Sequence, residues 1–258
     1  MHPSENRFLC LNLATCGIGI KDFRIWSQNM TDKKAISFPK SCSECGLLNC
    51  YRRDKRFPDF CLTESVPPDD VAETVALYSG EGIDGRIARA AAEIEGKFYG
   101  KLTRVEEIIA FAKRIGATRI GIATCMGLIE ESRIFARILR VNDLEPCSVI
   151  CKVGSVDKAE IGIPEDLKVC SGCFEGICNP VLQARLLNQT HTDLNVIVGL
   201  CVGHDSLFIK YSEAVVTTLI TKDRVLGHNP AAALYNHKFY YKRLLEPLPE
   251  LNSTAETA

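Results

Sequence analysis

The stretch TRIGIATCMGLIEESRIFARILRVNDLEPCSVICKVG, residues 118–154, holds two short apolar runs separated by an amphipathic segment. The runs TRIGIATC and CSVICKVG have the length and branched side chains of buried strands, and LIEESRIFARILRVND has helical spacing. A strand, a helix and a strand in this order favour a parallel pair, because parallel strands need a crossover connection. The stretch therefore predicts a βαβ unit.

The same alternation continues toward the C-terminus. The further elements are a helix in CNPVLQARLLNQ (178–189), a strand in LNVIVGLC (194–201), a short helix in HDSLFIKYS (204–212), a strand in AVVTTLIT (214–221) and a last helix opened by Asn229-Pro230 and running through AAALYNHKFYYKRLL. We therefore expect an α/β domain over residues 117–245, with a doubly wound, mostly parallel, Rossmann-like sheet. A strand order of 2-1-3-4 would put the switch point between the strands that end in Cys125 and Cys201.

Four other segments flank this domain. Residues 67–116 predict a helical region, with apolar side chains at helical spacing in TRVEEIIAFAKRIG and Gly116 as its stop. Residues 30–66 form a cysteine-rich segment with too few large apolar residues to build a core. We expect residues 1–29 to be a dispensable tail, with Met30 as a possible alternative start, and residues 246–258 to be a disordered tail.

Composition excludes some function classes. The chain has 258 residues, 46% of them hydrophobic and 24% charged, and a formal net charge of −1. This charge gives no reason to expect a nucleic-acid or membrane-surface partner, and no apolar stretch reaches the ~18 residues of a membrane helix. The 13 cysteines are unusual. In a cytoplasmic protein, which we expect this to be, clustered thiols stay reduced and favour metal binding.

The first cysteine set lies around SCSECGLLNC, residues 41–50. Its members are Cys42, Cys45, Cys50 and Cys61. The C-x-x-C spacing lets two sulfurs reach one ion across a tight turn, and two further thiols can complete a tetrahedron. Both zinc and an iron–sulfur cluster suit this spacing, and a bound metal would help to fold a segment so poor in apolar residues.

A second set is scattered in sequence but not in the predicted fold. Its members are Cys125, Cys151, Cys178 and Cys201. Three of them come at or near the ends of predicted strands, and Cys178 comes just before a helix. All four are therefore expected at the carboxyl edge of the sheet, where open α/β folds bind ligands. Cys178 would then belong with these distant cysteines, although VCSGCFEGIC (169–178) repeats the C-x-x-C-x-x-x-x-C spacing of the first set.

The roles of three other cysteines differ. Cys170 and Cys173 either form a compact metal site with Cys178 or cap the pocket as a redox pair, and the sequence leaves both alternatives open. Cys147 lies at the start of a predicted strand, at the end of the sheet away from the site, and is assigned to the core.

Polar residues follow the third and fourth strands at the same edge. His204, Asp205 and Lys222 are candidate catalytic groups, with His204 or Asp205 transferring a proton. Arg224, His228 and Asn229 are candidate cofactor-binding groups, and the cations could also hold an anionic substrate. Asp205 and Asn229 are equally plausible as helix caps.

The motifs GIATCMGLIEESRIFARIL, SVICKVG, CNPVLQARLLN, GLCVGHDSLFIKYS and KDRVLGHNPAAALY together resemble the domain-of-unknown-function 1847 family. The resemblance covers roughly residues 41–244. It implies a predicted metal-binding protein whose cysteine positions match both sets, with Cys170 and Cys173 outside the pattern. It implies no reaction.

Two functions from different classes fit these observations. In the first, the chain is an iron–sulfur protein, with a [4Fe–4S] cluster at the sheet edge and a redox or sulfur-handling reaction, and its partner is a small anionic substrate or an electron donor protein. In the second, it is a non-catalytic zinc-binding sensor or carrier. Zinc is an alternative cofactor especially for the first cysteine set.

Overall fold

The computed structural model describes residues 41–247, which fall into two compact units divided between Val71 and Ala72. The tail predicted over residues 1–29, with Cys10 and Cys16, lies outside the described residues, as do residues 30–40 and most of the predicted tail 246–258.

The first unit, in the residues that the structure describes, contains short helical elements and the first residues of a longer helix. Within its described part a 3₁₀ turn (Cys42–Glu44) is followed by α1 (Asn49–Arg52) and α2 (Leu62–Ser65). The buried side chain of Asn49 bonds to both backbone groups of Lys55, at 2.6 and 2.9 Å, and so closes the turn after α1. This unit therefore depends on turn hydrogen bonds more than on an apolar core.

The predicted helical region is confirmed as three helices: α3 (Pro68–Ser79), α4 (Ile83–Phe98) and α5 (Arg104–Ile115). Thr103 and Glu106 form a capping box at the start of α5. Gly116, with φ +79°, ends it as predicted.

The second unit contains the sheet, and the predicted α/β class and strand order are confirmed. The strands are β1 (Arg119–Thr124), β2 (Glu145–Ile150), β3 (Leu194–Val198) and β4 (Val215–Ile220). All neighbours pair in parallel, in the order β2-β1-β3-β4. The connecting helices are α6 (Ile129–Val141), α7 (Pro180–Gln189) and α8 (His204–Tyr211).

Alternate residues of the central strands point to opposite faces of the sheet. Ile120 and Ile122 of β1 pack with buried residues of α4, α5 and α6. Ala123 packs on the other face with residues of α7 and α8, among them Leu187 and Phe208. The sheet is therefore covered on both faces, which is why β1 and β3 consist almost entirely of buried residues.

Two strands have different bounds from the predicted ones. β2 begins two residues before Cys147, so Cys147 is not at its start; Pro146 fits there because β2 is an edge strand, where a missing N–H is tolerated. β3 ends at Val198, three residues before Cys201, because Gly199 adopts φ +73° and turns the chain.

The last helix is much shorter than predicted. It is α9 (Ala231–Tyr235), followed by turns and a 3₁₀ segment, Lys242–Leu245. The side chain of Asn236 donates to the carbonyl of Ala232 at 2.8 Å, a local bond that competes with helix continuation. Tyr235 is exposed, so little burial stabilises a longer helix.

Candidate functional site

Three of the four scattered cysteines are brought together by the strand register and one helix start. The register pairs Thr124 with Ile150, so that Cys125 and Cys151 follow side by side at the carboxyl edge. Cys178 precedes Asn179, whose side chain caps α7 and whose N–H donates to the Cys151 carbonyl at 2.7 Å. These elements place the three thiols at the predicted edge.

The Cys151 thiol forms the centre of this group. It hydrogen-bonds to the sulfurs of Cys125 and Cys178, and the backbone N–H of Met126 donates to the Cys151 sulfur at 3.3 Å. The bond from Cys151 lowers the pKa of Cys125 to about 5 and that of Cys178 to about 5, although burial opposes both shifts. Cys151 itself, bonded to both neighbours and buried, has a pKa well above its usual range. The thiolates of Cys125 and Cys178 therefore share the Cys151 thiol as their hydrogen-bond donor.

Cationic side chains surround these sulfurs. Lys222 lies beside Cys125 and contributes to its lowered pKa, and Lys152 does the same for Cys178. Arg224 donates from a guanidinium nitrogen to the Cys201 sulfur at 3.1 Å, a bond that raises the pKa of Arg224. The charges of Cys125 and Cys178 also act on Arg224, so Cys201 and its arginine lie at the edge of the same electrostatic site.

The candidate catalytic groups on α8 differ in their surroundings. His204 begins the helix, and its charge contributes to the lowered pKa of Cys178. Asp205 does not cap α8, because Gly203 occupies the cap position and the Asp205 carboxylate accepts the Ser206 N–H at 2.8 Å. His204 is thus near the thiolates, whereas the one bond described for the Asp205 carboxylate is local.

The segment after β4 is a compact loop. The carboxylate of Asp223 accepts the N–H groups of Val225 and Leu226, and the His228 ring nitrogen Nδ1 accepts the Asp223 N–H at 3.2 Å. His228, with φ +67°, is part of this turn, and its ring holds the Asp223 backbone through that bond. Asn229 is not the cap of α9, a position that Pro230 occupies. Lys222 and Arg224 are the members of this loop that reach the cysteines.

Two residues of this edge were not found from the sequence. Lys152 directly follows Cys151. It could have been found from its position at the carboxyl end of a predicted strand, the same signal that identified the cysteines. Gln183, fully buried on α7, donates to the carbonyls of Thr124 and Val149 at 3.2 and 2.7 Å and so ties α7 to the ends of β1 and β2. Its Oε1 atom lacks a hydrogen-bond partner. A buried glutamine in an amphipathic helix has no sequence pattern of its own.

The remaining described cysteines have other surroundings. Cys170 and Cys173 are exposed and hydrogen-bond to each other. Cys147, paired with Gly121 inside β2, packs against the second-face core, as its assignment to the core implies. In the first set, Cys42 and Cys50 are exposed and Cys45 and Cys61 half-buried; the 3₁₀ turn spans the predicted C-x-x-C.

Over residues 41–247, no three Cys, His, Asp or Glu side chains stand in an arrangement that could hold a metal ion without adjustment. At the sheet edge the Cys151 thiol instead hydrogen-bonds to Cys125 and Cys178, and Cys201 accepts a hydrogen bond from Arg224. Ligation there would require Cys151 to release its proton and Cys201 to leave the guanidinium. Also in the described part of the chain, no helix is long and apolar enough to cross a bilayer.

A family model described as "Protein of unknown function (DUF1847)" matches residues 61–219, a range that includes Cys61 and all four sheet-edge cysteines. The chain is 44% identical over 205 residues to "Uncharacterized protein MJ0455" of Methanocaldococcus jannaschii, an alignment that covers 80% of this chain and 98% of the relative. No solved structure matches it significantly. The chain belongs to the DUF1847 family.

Proposed function

We propose that this chain is a metal-binding protein whose sheet-edge cysteines, Cys125, Cys151, Cys178 and Cys201, hold an iron–sulfur cluster. The observation that carries the proposal is the hydrogen bonding of the Cys151 thiol to Cys125 and Cys178, two thiols whose pKa values are about 5. Two sulfurs are thus ready to ligate at neutral pH, because the thiolate is the form that binds metal. A [4Fe–4S] cluster takes four such ligands.

The charges around the sulfurs support the same proposal. A thiolate-bound cluster is anionic, and Lys152, Lys222 and Arg224 provide three nearby cations to offset it. None of the four cysteines forms a C-x-x-C pair with another, so the set lacks the short ligand spacing typical of structural zinc sites. The cationic surroundings and the dispersed ligands favour a cluster over zinc at this edge.

We assign a redox or sulfur-handling role to this site, on a small anionic substrate. A bound cluster would supply electrons or, if one iron stays open, a Lewis acid. Arg224 is exposed and can exchange its bond to Cys201 for one to a substrate anion. His204 begins α8 close enough to Cys178 to feel its charge, and is the proposed proton donor. A cytoplasmic location and an electron donor protein as partner belong to the same proposal.

The test is anaerobic purification followed by a visible spectrum and analysis of iron, sulfide and zinc. We expect a coloured protein, and we expect Cys178→Ala to lose about four iron and four sulfide per chain. Cys147→Ala is the matched control, because Cys147 lies in the same sheet but outside the sulfur group. It should keep both the colour and the metal.

Two outcomes would overturn the assignment. A colourless protein that contains only zinc would favour the alternative function, a zinc-binding sensor or carrier. Equal metal content in wild type, Cys178→Ala and Cys147→Ala would remove the sheet-edge site from consideration altogether.

A further inference from the structure

The loop between β2 and α7, residues 152–177, carries two cysteines that the proposed site does not use. Its two arms meet in an antiparallel bridge between Asp157 and Gly176. The N–H of Lys158 donates to the Glu175 carbonyl at 3.0 Å, and the N–H of Ile177 donates to the Val156 carbonyl at 2.8 Å. The loop is therefore a closed ribbon with Cys170 and Cys173 near its far end.

Ion pairs hold this far end in place. The Lys168 ammonium, on a side chain only 4% exposed, contacts Asp157 at 2.9 Å and Glu165 at 2.6 Å. The other Glu165 oxygen accepts the Gly172 N–H at 2.8 Å, and a Glu175 oxygen accepts the Cys170 N–H at 3.2 Å. The turn that presents the two thiols is thus built without either sulfur, so the thiols remain available for chemistry.

The two thiols form a pair of their own. Gly172, with φ +75°, lets the chain turn, the Cys173 N–H lies 3.4 Å from the Cys170 carbonyl, and the side chains hydrogen-bond to each other. Cys178 is directed instead to Cys151. Within the part of the chain that the structure describes, no third metal-ligating side chain completes a site with this pair. Of the two roles left open by the sequence, the redox pair is the one that the geometry supports.

Two apolar side chains next to the pair are exposed. Val169, next to Cys170, is 94% exposed, and Phe174, next to Cys173, is 64% exposed. A reactive thiol must be exposed to its substrate, and apolar side chains beside it can bind that substrate. Both conditions are met here.

We infer that Cys170 and Cys173 are a thiol–disulfide exchange site whose substrate is a disulfide. The Cys173 thiolate attacks one sulfur of the substrate, forming a mixed disulfide and releasing the first substrate thiolate. Cys170 then gives up its proton and attacks the Cys173 sulfur, so the mixed bond breaks and the second substrate thiolate leaves. The pair is oxidised by two electrons to an intramolecular disulfide, and the substrate disulfide is reduced to two thiols that take up the protons.

The order of attack follows from the environment of Cys170. Its hydrogen bond to Cys173 and the nearby carboxylates of Glu175 and Glu165 raise the pKa of Cys170. Cys170 therefore keeps its proton and Cys173 attacks first.

The test is equilibration of the reduced full-length protein with glutathione and glutathione disulfide under anaerobic conditions, followed by alkylation. Cleavage after Lys168 and Glu175 yields the peptide VCSGCFE, which separates this pair from Cys178. In the wild type we expect a disulfide to form in this peptide. The peptide is then two hydrogens lighter than the dithiol and carries no alkyl group. A parallel arm with a protein disulfide such as insulin shows whether a protein or a small disulfide reacts faster.

Single variants test the order of attack. Cys170→Ser should trap glutathione on Cys173, whereas Cys173→Ser should react at least about tenfold more slowly at Cys170. The double variant is the control for the other cysteines of the chain. A peptide that stays fully reduced in excess glutathione disulfide, or a disulfide that joins either cysteine to Cys178, would overturn the inference. These readouts do not depend on metal, so they stand apart from the test of the proposed cluster.

Discussion

At the residue scale, Gly199 determines how the chain leaves β3 on its way to Cys201. Its φ is +73°, and a Cβ placed on it would lie 1.8 Å from Cδ1 of Leu128, which is buried. An alanine there would be strained in the backbone and would overlap the buried Leu128 side chain, which would have to shift within the core. We expect Gly199→Ala to lower the free energy of unfolding by about 2–4 kcal/mol, measured by urea denaturation.

Gly96 provides the matched control for this substitution. It lies in α4 and a Cβ on it would meet nothing within 4 Å. Gly96→Ala should therefore raise the free energy of unfolding by about 0.5–1 kcal/mol, the usual gain from alanine in a helix. Similar effects of the two alanines would contradict the contact with Leu128.

At the element scale, the loop of residues 152–177 is held by carboxylates, which makes it sensitive to acid. Hydrogen bonds from the Ala159 N–H, from Lys168 and from the Glu175 N–H lower the pKa of Asp157 from 3.8 to about 2. Bonds to Lys168 and Lys158, respectively, also lower the pKa of Glu165 and of Glu175. A depressed pKa means that the stabilisation is complete above the unfolded value and is lost as the pH falls through the folded value. The loop should therefore loosen between about pH 4 and pH 2.

Hydrogen–deuterium exchange measures this loosening, once rates are corrected for intrinsic pH dependence. Peptides from residues 152–177 should lose protection over that interval, while peptides from α6, whose buried residues include Phe135 and Leu139, should keep theirs. Equal protection of the loop at pH 5 and at pH 2 would show that the carboxylates do not hold it.

Two elements also show how far local pattern reaches. The spacing in TRVEEIIAFAKRIG, with its cap and its glycine, predicts α5 correctly because cap and periodicity agree. The run after Asn229-Pro230 has a plausible start but no buried face, and only α9 forms there. Periodicity without burial does not maintain a helix.

At the scale of the whole molecule, the first cysteine set belongs to the first of the two units and the sheet to the second. We expect this set to bind one metal. The described part of the unit has little apolar core, so a metal bound by its four thiols would supply folding free energy. Cys45→Ala should release one metal equivalent and make residues 41–66 sensitive to trypsin. The circular dichroism of the sheet unit should persist.

Ser43→Ala is the control for this variant, since Ser43 lies between Cys42 and Cys45 without a thiol. It should keep the metal and the protease resistance of wild type. If metal analysis finds the same content in Cys45→Ala as in Ser43→Ala, the first set is not a metal site.

Much of the architecture could be predicted from sequence because each strand of the sheet is a short apolar run and each crossover an amphipathic helix. The parallel pairing of the strands followed from the rule that strands joined by a crossover helix run parallel. The grouping of Cys125, Cys151 and Cys178 followed from their places at strand and helix ends, although they are far apart in the chain. The sequence could not give the turn at Gly199, the bond from Arg224 to Cys201 or the role of Lys152, since each depends on a neighbour distant in sequence.

The sequence by itself therefore determined the fold class and the edge at which the cysteines gather, because hydrophobic period and turn chemistry are local properties of the chain. Only the tertiary structure decided which sulfurs share protons, which cations lie beside them, and that Cys170 and Cys173 hydrogen-bond to each other as a separate pair. Those outcomes depend on distances of a few ångströms between residues of different elements. Such distances are set by packing and register, which no single segment contains.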